Sequence, residues 1–327
     1  MLDLITIGDA LIDTHVFIDN ATLECDINQQ NCQLCLNYAG KIPITHSFQA
    51  LGGNAANVAI SARNLGLSTA IIASIGKDAN GQMVQAELKK QKVQTKLLHI
   101  DAATPTRYAV VLNFKQERTI LSYHQKRNYR LPKRIPATQW IYYTSLSEGY
   151  ESMQNDFINF LSKHKNIRVA YNPGSLQLQN LDMVREIITH TNILIVNVEE
   201  ALIILNKKNS PNLKPETLIS ELLALGAKEV VITDSHKGAW AGDGHQLWHC
   251  PGFPITVVSK TGAGDAFSAG YLAARLHDQS VETALVWGIG CSSHIISTPH
   301  TAQSRINKKE MTEIISKFSS IKPSLIS

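Results

Sequence analysis

Short apolar, β-branched runs alternate along the chain with longer stretches whose apolar positions recur at helical spacing. Short runs of this kind predict buried strands, whereas a period near 3.6 residues predicts helices. The alternation predicts an α/β fold with a doubly wound, mostly parallel sheet and helices on both faces. The predicted strands are 4–7, 69–75, 140–143, 168–171, 193–196, 229–233 and 255–259, and the predicted helices include 57–65, 83–91, 215–225 and 266–276.

A second group of extended segments does not fit this alternation. The segments are 14–19, 41–49, 106–114 and 117–124. The last two predict a hairpin around Lys115 and Gln116, because only a short connection separates them. Two arrangements are open from these residues alone: a separate small sheet with strands from about 14–49 and 104–124, or an extension of the main sheet.

Composition predicts a globular protein that acts on small molecules. The 327 residues carry 31 basic and 27 acidic side chains, and no basic block is interleaved with aromatic residues, so we expect no nucleic-acid partner. A single domain, 1–327, is compatible with this length. The first seven residues are too short and too acidic for a secretory signal, and no apolar run is long enough for a membrane helix. We therefore expect no membrane partner and a cytoplasmic location.

The most informative stretch is 259–270, Ser-Lys-Thr-Gly-Ala-Gly-Asp-Ala-Phe-Ser-Ala-Gly. Gly262, Ala263 and Gly264 form a turn of tiny residues at a predicted helix start, where free backbone N–H groups and the helix dipole can hold a phosphoryl group. Asp265 follows the turn, and its carboxylate can accept a proton from an attacking hydroxyl. A tight strand-to-helix connection without chemistry is the structural alternative.

A second small-residue turn precedes the helix predicted at 57–65. Gly52 and Gly53 allow a ligand to lie against the backbone, and the Asn57 amide offers a donor and an acceptor. Such a site suits the hydroxyl groups of a substrate.

Together these motifs resemble the PfkB, or ribokinase-like, family of ATP-dependent carbohydrate and nucleoside kinases. The first family signature is similar to Gly52, Gly53, Asn57, Gly66 and Gly76, and the second to Gly262–Asp265. Weaker similarities cover 197–200, Asn-Val-Glu-Glu, and 233–238, Thr-Asp-Ser-His-Lys-Gly. The resemblance extends in consistent order over about 4–305. It implies a ribokinase-like sheet, a small β-sheet lid over the acceptor, and ATP and Mg²⁺ as cofactors.

The resemblance also implies the residues that bind the acceptor. Asp9 and Asp13 match the first-strand motif whose polar residues contact the acceptor, and short carboxylates can accept hydrogen bonds from vicinal hydroxyls. For Asp9 the alternative is a turn cap. Arg107 and Tyr108 match the part of the lid that reaches inward. Gly52, Gly53, Asn57 and Asn172 complete the expected acceptor site.

The nucleotide side is implied in the same way. Asn197 and Glu200 match the pair that orders Mg²⁺ through water. The structural alternative is a helix capping box with Asn197 as the N-cap, and the two roles are compatible. Thr233 and Gly238 are expected near the phosphates or ribose of the nucleotide, together with Gly262 and Gly264. The adenine is expected among apolar groups of the C-terminal region.

Two stretches depart from the family pattern. Ser259 stands where relatives often have an aspartate, and Lys260 follows it; 298–302 only loosely resembles the late Gly-Ala turn. Lys260 is expected to be a solvated strand-end lysine, with a place near phosphate as the alternative. These departures give no basis for a potassium site.

Three cysteines lie in a polar insertion of about 20–40. Cys32 and Cys35 have metal-knuckle spacing, and Cys25 with His15 or His46 would complete a tetrahedral zinc site if the flanking strands bring them close. Reduced thiols are the simpler expectation in a chain without a secretion signal.

These observations predict a kinase that transfers the γ-phosphoryl group of ATP to a hydroxyl of a small sugar, with Asp265 as the base. A nucleoside kinase of the same fold is the first alternative, since Phe17, Phe48 and Tyr108 can supply walls around a base. A non-catalytic binding protein is the second. The exposed edges of the lid further predict a homodimer through the lids.

Overall fold

A computed structural model describes residues 1–26, 32–115, 117–208, 213–258, 262–298 and 306–326. Its strands are β1 (Leu2–Ile7), β2 (Leu11–Phe17), β3 (Thr22–Cys25), β4 (Cys32–Cys35), β5 (His46–Gly52), β6 (Thr69–Ile72), β7 (Ser74–Gly76), β8 (His99–Asp101), β9 (Tyr108–Phe114), β10 (Glu117–Ser122), β11 (Thr138–Tyr143), β12 (Arg168–Tyr171), β13 (Ile193–Asn197), β14 (Glu229–Thr233), β15 (Ala239–Gly242), β16 (Leu247–Cys250) and β17 (Ser324–Leu325). Its helices are α1 (Asn54–Asn64), α2 (Ala79–Lys90), α3 (Glu151–Lys163), α4 (Leu181–Ile188), α5 (Val198–Ile204), α6 (Pro215–Ala224), α7 (Ala263–Leu276), α8 (Val281–Ser297) and α9 (Lys308–Lys317).

The central sheet is mixed, and its parallel part is the predicted doubly wound arrangement. Its strand order among the described residues is β17-β16-β15-β14-β13-β12-β11-β1-β6. The strands from β14 to β6 are parallel, whereas β15, β16 and β17 add antiparallel strands at one edge. The parallel strands are apolar runs that are almost wholly buried, because helices cover both sheet faces. The predicted fold class is confirmed.

Two apolar clusters show how the helices divide between these faces. One cluster joins the sheet to α3, α4, α5 and α6, and contains Phe157, Ile187, Ile204 and Leu222. The other joins it to α1, α7, α8 and α9. Small residues dominate the buried side of α7, which allows α7 to lie close to its neighbours: a Cβ on Gly270 would contact the Trp287 carbonyl oxygen of α8. In the part of the chain that is described, no helix combines the length and apolar character that a membrane crossing requires.

The four extended segments outside the alternation form a separate sheet, here called the lid. Its order is β10-β9-β2-β5. β9 and β10 are the predicted antiparallel hairpin, with Phe114 opposite Glu117, although its turn residue Gln116 lies outside the described residues. The lid strand predicted at 41–49 starts instead at His46, because Pro43 in that stretch lacks the N–H that a ladder needs.

Two predicted strands of the main sheet differ from the structure: 69–75 is correct only for 69–72, and 255–259 is wrong in its described residues. Residues 69–75 form two strands: β6 pairs with β1, whereas β7 leaves the sheet and pairs with β8. Residues 255–258 form no strand, and the Val258 N–H donates to the Ile296 carbonyl at 2.7 Å. The segment is apolar because Ile255 and Val257 form part of the wall of a cavity described below. Periodicity alone does not distinguish these two uses of an apolar run.

The cysteine insertion forms the hairpin β3–β4, which extends from the lid between β2 and β5. Cys25 lies directly opposite Cys32, with a Cα–Cα distance of 4.0 Å, and the two form a disulfide. The expectation of reduced thiols is therefore wrong for this pair, because strand pairing brings the two residues together. Cys35 lies opposite Thr22 and keeps its thiol. No group of three metal-ligating side chains occurs among the described residues, so the zinc alternative gains no support.

Candidate active site

The carboxyl ends of the parallel strands open on a cleft of about 500 Å³ between the main sheet and the lid. Asp9 follows β1, Asn172 follows β12, Asn197 ends β13 and Thr233 ends β14, and all four line the cleft. Parallel strands share one edge for their carboxyl ends, which is why residues distant in sequence meet here. Ser259, predicted at the same edge, lies outside the described residues, as do Lys260 and residues 299–302.

The small-residue turn of 262–264 begins helix α7 as predicted. Gly262 is the N-cap with φ +73°, a left-handed conformation that favours glycine. Gly262, Gly264 and Asp265 line the cleft, so the N-terminal turn of α7 and its N–H groups lie at the cleft wall. Among the described residues, a Cβ placed on Gly264 would have no neighbouring atom within 4 Å. This opening leaves backbone surface that a phosphoryl group can approach.

Asp265 and Asn57 come together across the two helix starts. The Asn57 Nδ2 donates to Asp265 Oδ2 at 2.9 Å. Asn57 belongs to α1 and Asp265 to the first turn of α7, so this contact connects the two motifs that the sequence analysis treats separately. The bond orients the Asp265 carboxylate toward the cleft, which both residues line.

Asp13 extends from lid strand β2 into the same cleft. A Cβ on Gly52 would overlap the Asp13 carboxylate, so glycine at this position makes room for that side chain. Gly52 thus supports the site without lining the cleft. Burial raises the pKa of Asp13 to about 6; Arg118 opposes that rise, and the nearby Asp265 carboxylate adds to it.

The Asp9 carboxylate is bound by other side chains of the protein. It is buried, forms an ion pair with Arg107 and accepts a hydrogen bond from the Tyr129 hydroxyl at 2.6 Å. Tyr129 also accepts from the Ser147 N–H at 2.9 Å. Burial raises the pKa of Asp9, and Arg107 opposes this. The ion pair connects strand end β1 to the start of lid strand β9.

Gly53 is needed at the entrance to α1 for a different reason from Gly52. Its φ of +95° lies in the region that L-residues avoid, and a Cβ there would overlap the Asp9 carbonyl oxygen. The backbone of Gly53 therefore contacts that of the β1–β2 connection and lines the cleft.

Asn197 and Glu200 form the capping box of α5 and also line the cleft. Asn197 Oδ1 accepts from the Glu200 N–H at 2.8 Å, and Glu200 Oε2 accepts from the Asn197 N–H at 2.9 Å. Both alternatives stated for this pair are therefore compatible with the structure. Burial raises the pKa of Glu200. Carboxylate and amide oxygens are ligands that suit hydrated Mg²⁺, so the residue types fit the metal.

A second cavity of about 270 Å³ adjoins the cleft, and Thr233 and Gly264 line both. Gly238, with φ +94°, lies on its wall, where a Cβ would overlap the Cys250 carbonyl. Most of the lining is apolar, and Ala263 contributes to it. The remaining residues are Ser235, His236, Gly252, Phe253, Ile255, Val257, Phe267, Ile289, Ser292, Ser293 and Ile296. The size and character of this cavity suit a flat, largely apolar ring.

Several lining residues were not predicted, and one prediction fails. Ser122, His124, Ser145 and Ser175 line the cleft, but single serines and histidines in loops or at strand ends have no distinguishing pattern. Tyr108 pairs with Ile12, on the lid face opposite Asp13, and its ring stacks on Tyr123 at 5.2 Å. Strand alternation therefore excludes Tyr108 from the site.

Comparison with known proteins agrees with this architecture. A ribokinase from Arabidopsis thaliana, solved with ribose and ATP, superposes with a TM-score of 0.77 at 18% identity, covering 96% of this chain and 98% of that chain. The chain is 27% identical over 306 residues to the cytidine kinase of Thermococcus kodakarensis, covering 88% and 94% of the two proteins. It is 22% identical over 306 residues to the ATP-dependent 6-phosphofructokinase of Thermoanaerobacterium thermosaccharolyticum, covering 89% and 87%.

The superposition defines the class as a ribokinase-fold protein. Residues 14–308 match the family model described as pfkB family carbohydrate kinase. The chain therefore belongs to the PfkB family, a family of carbohydrate and nucleoside kinases.

Proposed function

We propose that the protein is an ATP-dependent carbohydrate kinase that phosphorylates a primary alcohol of a small sugar. The observation that supports this most strongly is the position of Asp265 in the first turn of α7, hydrogen-bonded to Asn57 and facing the same cleft as Asp13. A base, an anion-binding helix start and a hydroxyl-binding carboxylate then surround one space, as phosphoryl transfer requires.

In the proposed mechanism, Asp13 accepts hydrogen bonds from sugar hydroxyls and orients the acceptor. Asp265 takes the proton of the reacting sugar hydroxyl. At the same time the hydroxyl oxygen forms a bond to the γ-phosphorus, and the bond between the γ-phosphorus and the β,γ-bridging oxygen breaks. The products are the sugar phosphate and ADP. The N–H groups of Gly262 to Asp265 stabilise the charge on the transferred group. The lid covers the cleft and limits hydrolysis of ATP by water.

The nucleotide is proposed to extend from the cleft into the adjoining cavity. Its base would contact the apolar wall that includes Phe253, Phe267 and Ile289, and its ribose and phosphates would lie near Thr233 and Gly238. Asn197 and Glu200 would hold Mg²⁺ through water. When bound, the ion neutralises phosphate charge and aids departure of ADP.

A nucleoside acceptor is the second candidate. It is favoured by the similarity to a cytidine kinase and by aromatic residues on the lid face that carries Asp13. The rings of His15 and Phe48 stack with centroids 4.5 Å apart, and Phe17 lies next to them. A base could stack on such a surface. Because these rings are partly exposed, they also support the proposed homodimer through the lids, which sedimentation velocity would detect.

The experiment that tests the function is ADP release with Mg-ATP across neutral sugars and nucleosides. We expect turnover with one class, dependence on the acceptor, and loss of turnover when EDTA removes Mg²⁺. The Asp265→Asn variant serves as the inactive reference. A folded protein that releases no ADP with any acceptor would instead support a non-catalytic binding role.

Gly264→Ala tests the anion-binding turn separately from folding. Because an added Cβ would have no neighbour within 4 Å among the residues that the structure describes, the variant should fold with a melting temperature close to that of the native protein. The methyl group would face the ligand, so we expect kcat to fall at least about tenfold, the loss that about 1.4 kcal/mol of transition-state stabilisation represents. Gly244→Ala adds a methyl group outside the cleft and serves as a control for kcat alone, because its φ of +88° strains the backbone and is expected to lower the melting temperature. Unchanged kcat in Gly264→Ala would contradict close approach of phosphate to this turn.

A further inference from the structure

The described lining of the cleft is rich in carboxylates and poor in available positive charge. Among its described lining residues are four carboxylates and one guanidinium: Asp9, Asp13, Glu200, Asp265 and Arg107. Charged walls of one sign in a partly enclosed cleft concentrate the field there. The charge balance therefore bears on which acceptors can enter.

The charge of Arg107 is already compensated. Arg107 is 6% exposed and Asp9 is 3% exposed, and their side chains form a direct ion pair. A buried pair of this kind is costly to separate, because each charge would lose its partner away from water. Arg107 therefore acts at the cleft as a fixed hydrogen-bond donor whose positive charge is neutralised by Asp9.

Two other basic groups near the acceptor end, Arg118 and His124, are compensated or neutral, whereas Arg127 is buried, acts electrostatically on Asp9 and is not among the described residues that line the cleft. Arg118 lies on the same lid face as Asp13, with which it interacts electrostatically. His124 is within 3.2 Å of an Arg107 Nη atom, and burial together with Arg107 lowers its pKa, which favours the neutral ring. Ser122, Ser145, Ser175 and Asn172 add only uncharged donors and acceptors to this lining.

The phosphate end of the cleft differs from the acceptor end. There the helix start at Gly262–Gly264 offers N–H groups, and the anion expected is ATP, which brings Mg²⁺ with it. An anionic group on the acceptor would have neither the helix start nor the ion. It would instead lie near Asp13 and the Asp9–Arg107 pair.

We propose that the acceptor is an uncharged polyhydroxylated molecule, and that sugars already carrying a phosphate or carboxylate group are rejected at the Asp9–Arg107–Asp13 end of the cleft. This inference rests on the proposed kinase function and narrows its substrate class. It separates the chain from its relative that is named as a 6-phosphofructokinase.

The test compares matched pairs of ligands that differ only in an anionic group: fructose with fructose 6-phosphate, and ribose with ribose 5-phosphate. Each ligand is assayed as a substrate by ADP release. The binding of each ligand is also measured by calorimetry. A sugar whose reacting hydroxyl already carries a phosphate cannot be a substrate, so binding has to be measured separately from turnover. We expect the anionic member to bind at least about 100-fold more weakly, since like charges brought together cost several kcal/mol.

Equal or tighter binding of the phosphorylated ligand would overturn the inference. ADP release with a phosphorylated sugar as the substrate would also overturn it, but would support the kinase function. Absence of turnover with every ligand would count against the proposed function alone, because the binding comparison still decides the charge preference. Added salt should narrow the difference, since it screens repulsion and leaves the neutral ligand unaffected.

Adding a positive charge to the cleft tests whether electrostatic repulsion causes the rejection of anionic ligands. Ser122 and Thr119 lie on opposite faces of β10: Ser122 lines the cleft, whereas Thr119 is exposed on the other face. We expect Ser122→Lys to tighten binding of the anionic competitor about fivefold, as one exposed ion pair of about 1 kcal/mol provides. Thr119→Lys adds the same charge and should leave it unchanged. Equal effects of the two variants, or none from Ser122→Lys, would contradict a local electrostatic origin.

Discussion

Replacing Asp265 by asparagine is expected to lower kcat by about a thousandfold, within the range that a general base contributes. The asparagine side chain has nearly the same shape, and its carbonyl oxygen can still accept the hydrogen bond from Asn57 Nδ2 that Asp265 accepts at 2.9 Å. The positions of α1 and α7 should therefore be preserved. What the variant lacks is a basic oxygen for the proton of the acceptor hydroxyl.

The measurement is steady-state kinetics beside ATP binding by calorimetry and thermal melting. We expect the Kd for ATP and the melting temperature to change little. Asp182→Asn is a matched control, because Asp182 is an exposed carboxylate in the first turn of another helix, α4, and lies outside the cleft. Near-normal kcat in Asp265→Asn would remove Asp265 from the role of base.

Asp13→Asn is expected to weaken the acceptor interaction strongly while stabilising the protein. A hydrogen bond to a charged group contributes about 1.5–3 kcal/mol, so kcat/KM for the acceptor should fall by about 10- to 100-fold. KM for ATP should remain close to its native value, because Asp13 belongs to lid strand β2, away from the nucleotide cavity. Kinetics with each substrate varied in turn would show this selectivity. An equal loss for both substrates would indicate a general structural effect.

The pKa of Asp13 determines the sign of its effect on stability. Burial raises the pKa of Asp13 in the folded protein to about 6, above its ordinary value of 3.8. Between these values the folded state keeps a proton that the unfolded state has released. Stability from this group is therefore fully present below pH 3.8 and is lost as pH rises through about 6. Asparagine has no charge to bury, so Asp13→Asn should gain stability relative to the native protein across this window.

Denaturant titrations of both proteins at a series of pH values would measure this difference. The free energy of unfolding of the variant minus that of the native protein should rise with pH and level off above pH 6. In the native protein, kcat/KM for the acceptor should rise over the same range as the carboxylate ionises and becomes a better acceptor of hydrogen bonds. A stability difference that is constant with pH would contradict the raised pKa.

Much of the fold followed from local pattern. The buried strands 168–171 and 229–233 match the structure residue for residue, because parallel strands between two helix layers need continuous apolar runs. The turn of small residues at the start of α7 was also predictable, although the helix begins at Ala263 and so earlier than the predicted 266. The errors arose where an apolar run had another use, as in 255–258, which lines a pocket instead of pairing.

The sequence by itself determined the candidate reactive residues, through their types and motifs, and most of the strands and helices, through local hydrophobic pattern. Only the tertiary structure determined their partners: that Asp265 meets Asn57, that Asp9 is neutralised by Arg107 and held by Tyr129, and that Tyr108 faces away from the cleft. It also determined that Cys25 lies opposite Cys32. The physical reason is that propensity and periodicity act over a few residues, whereas ion pairs, pKa shifts and strand register depend on packing between segments as far apart as 57 and 265.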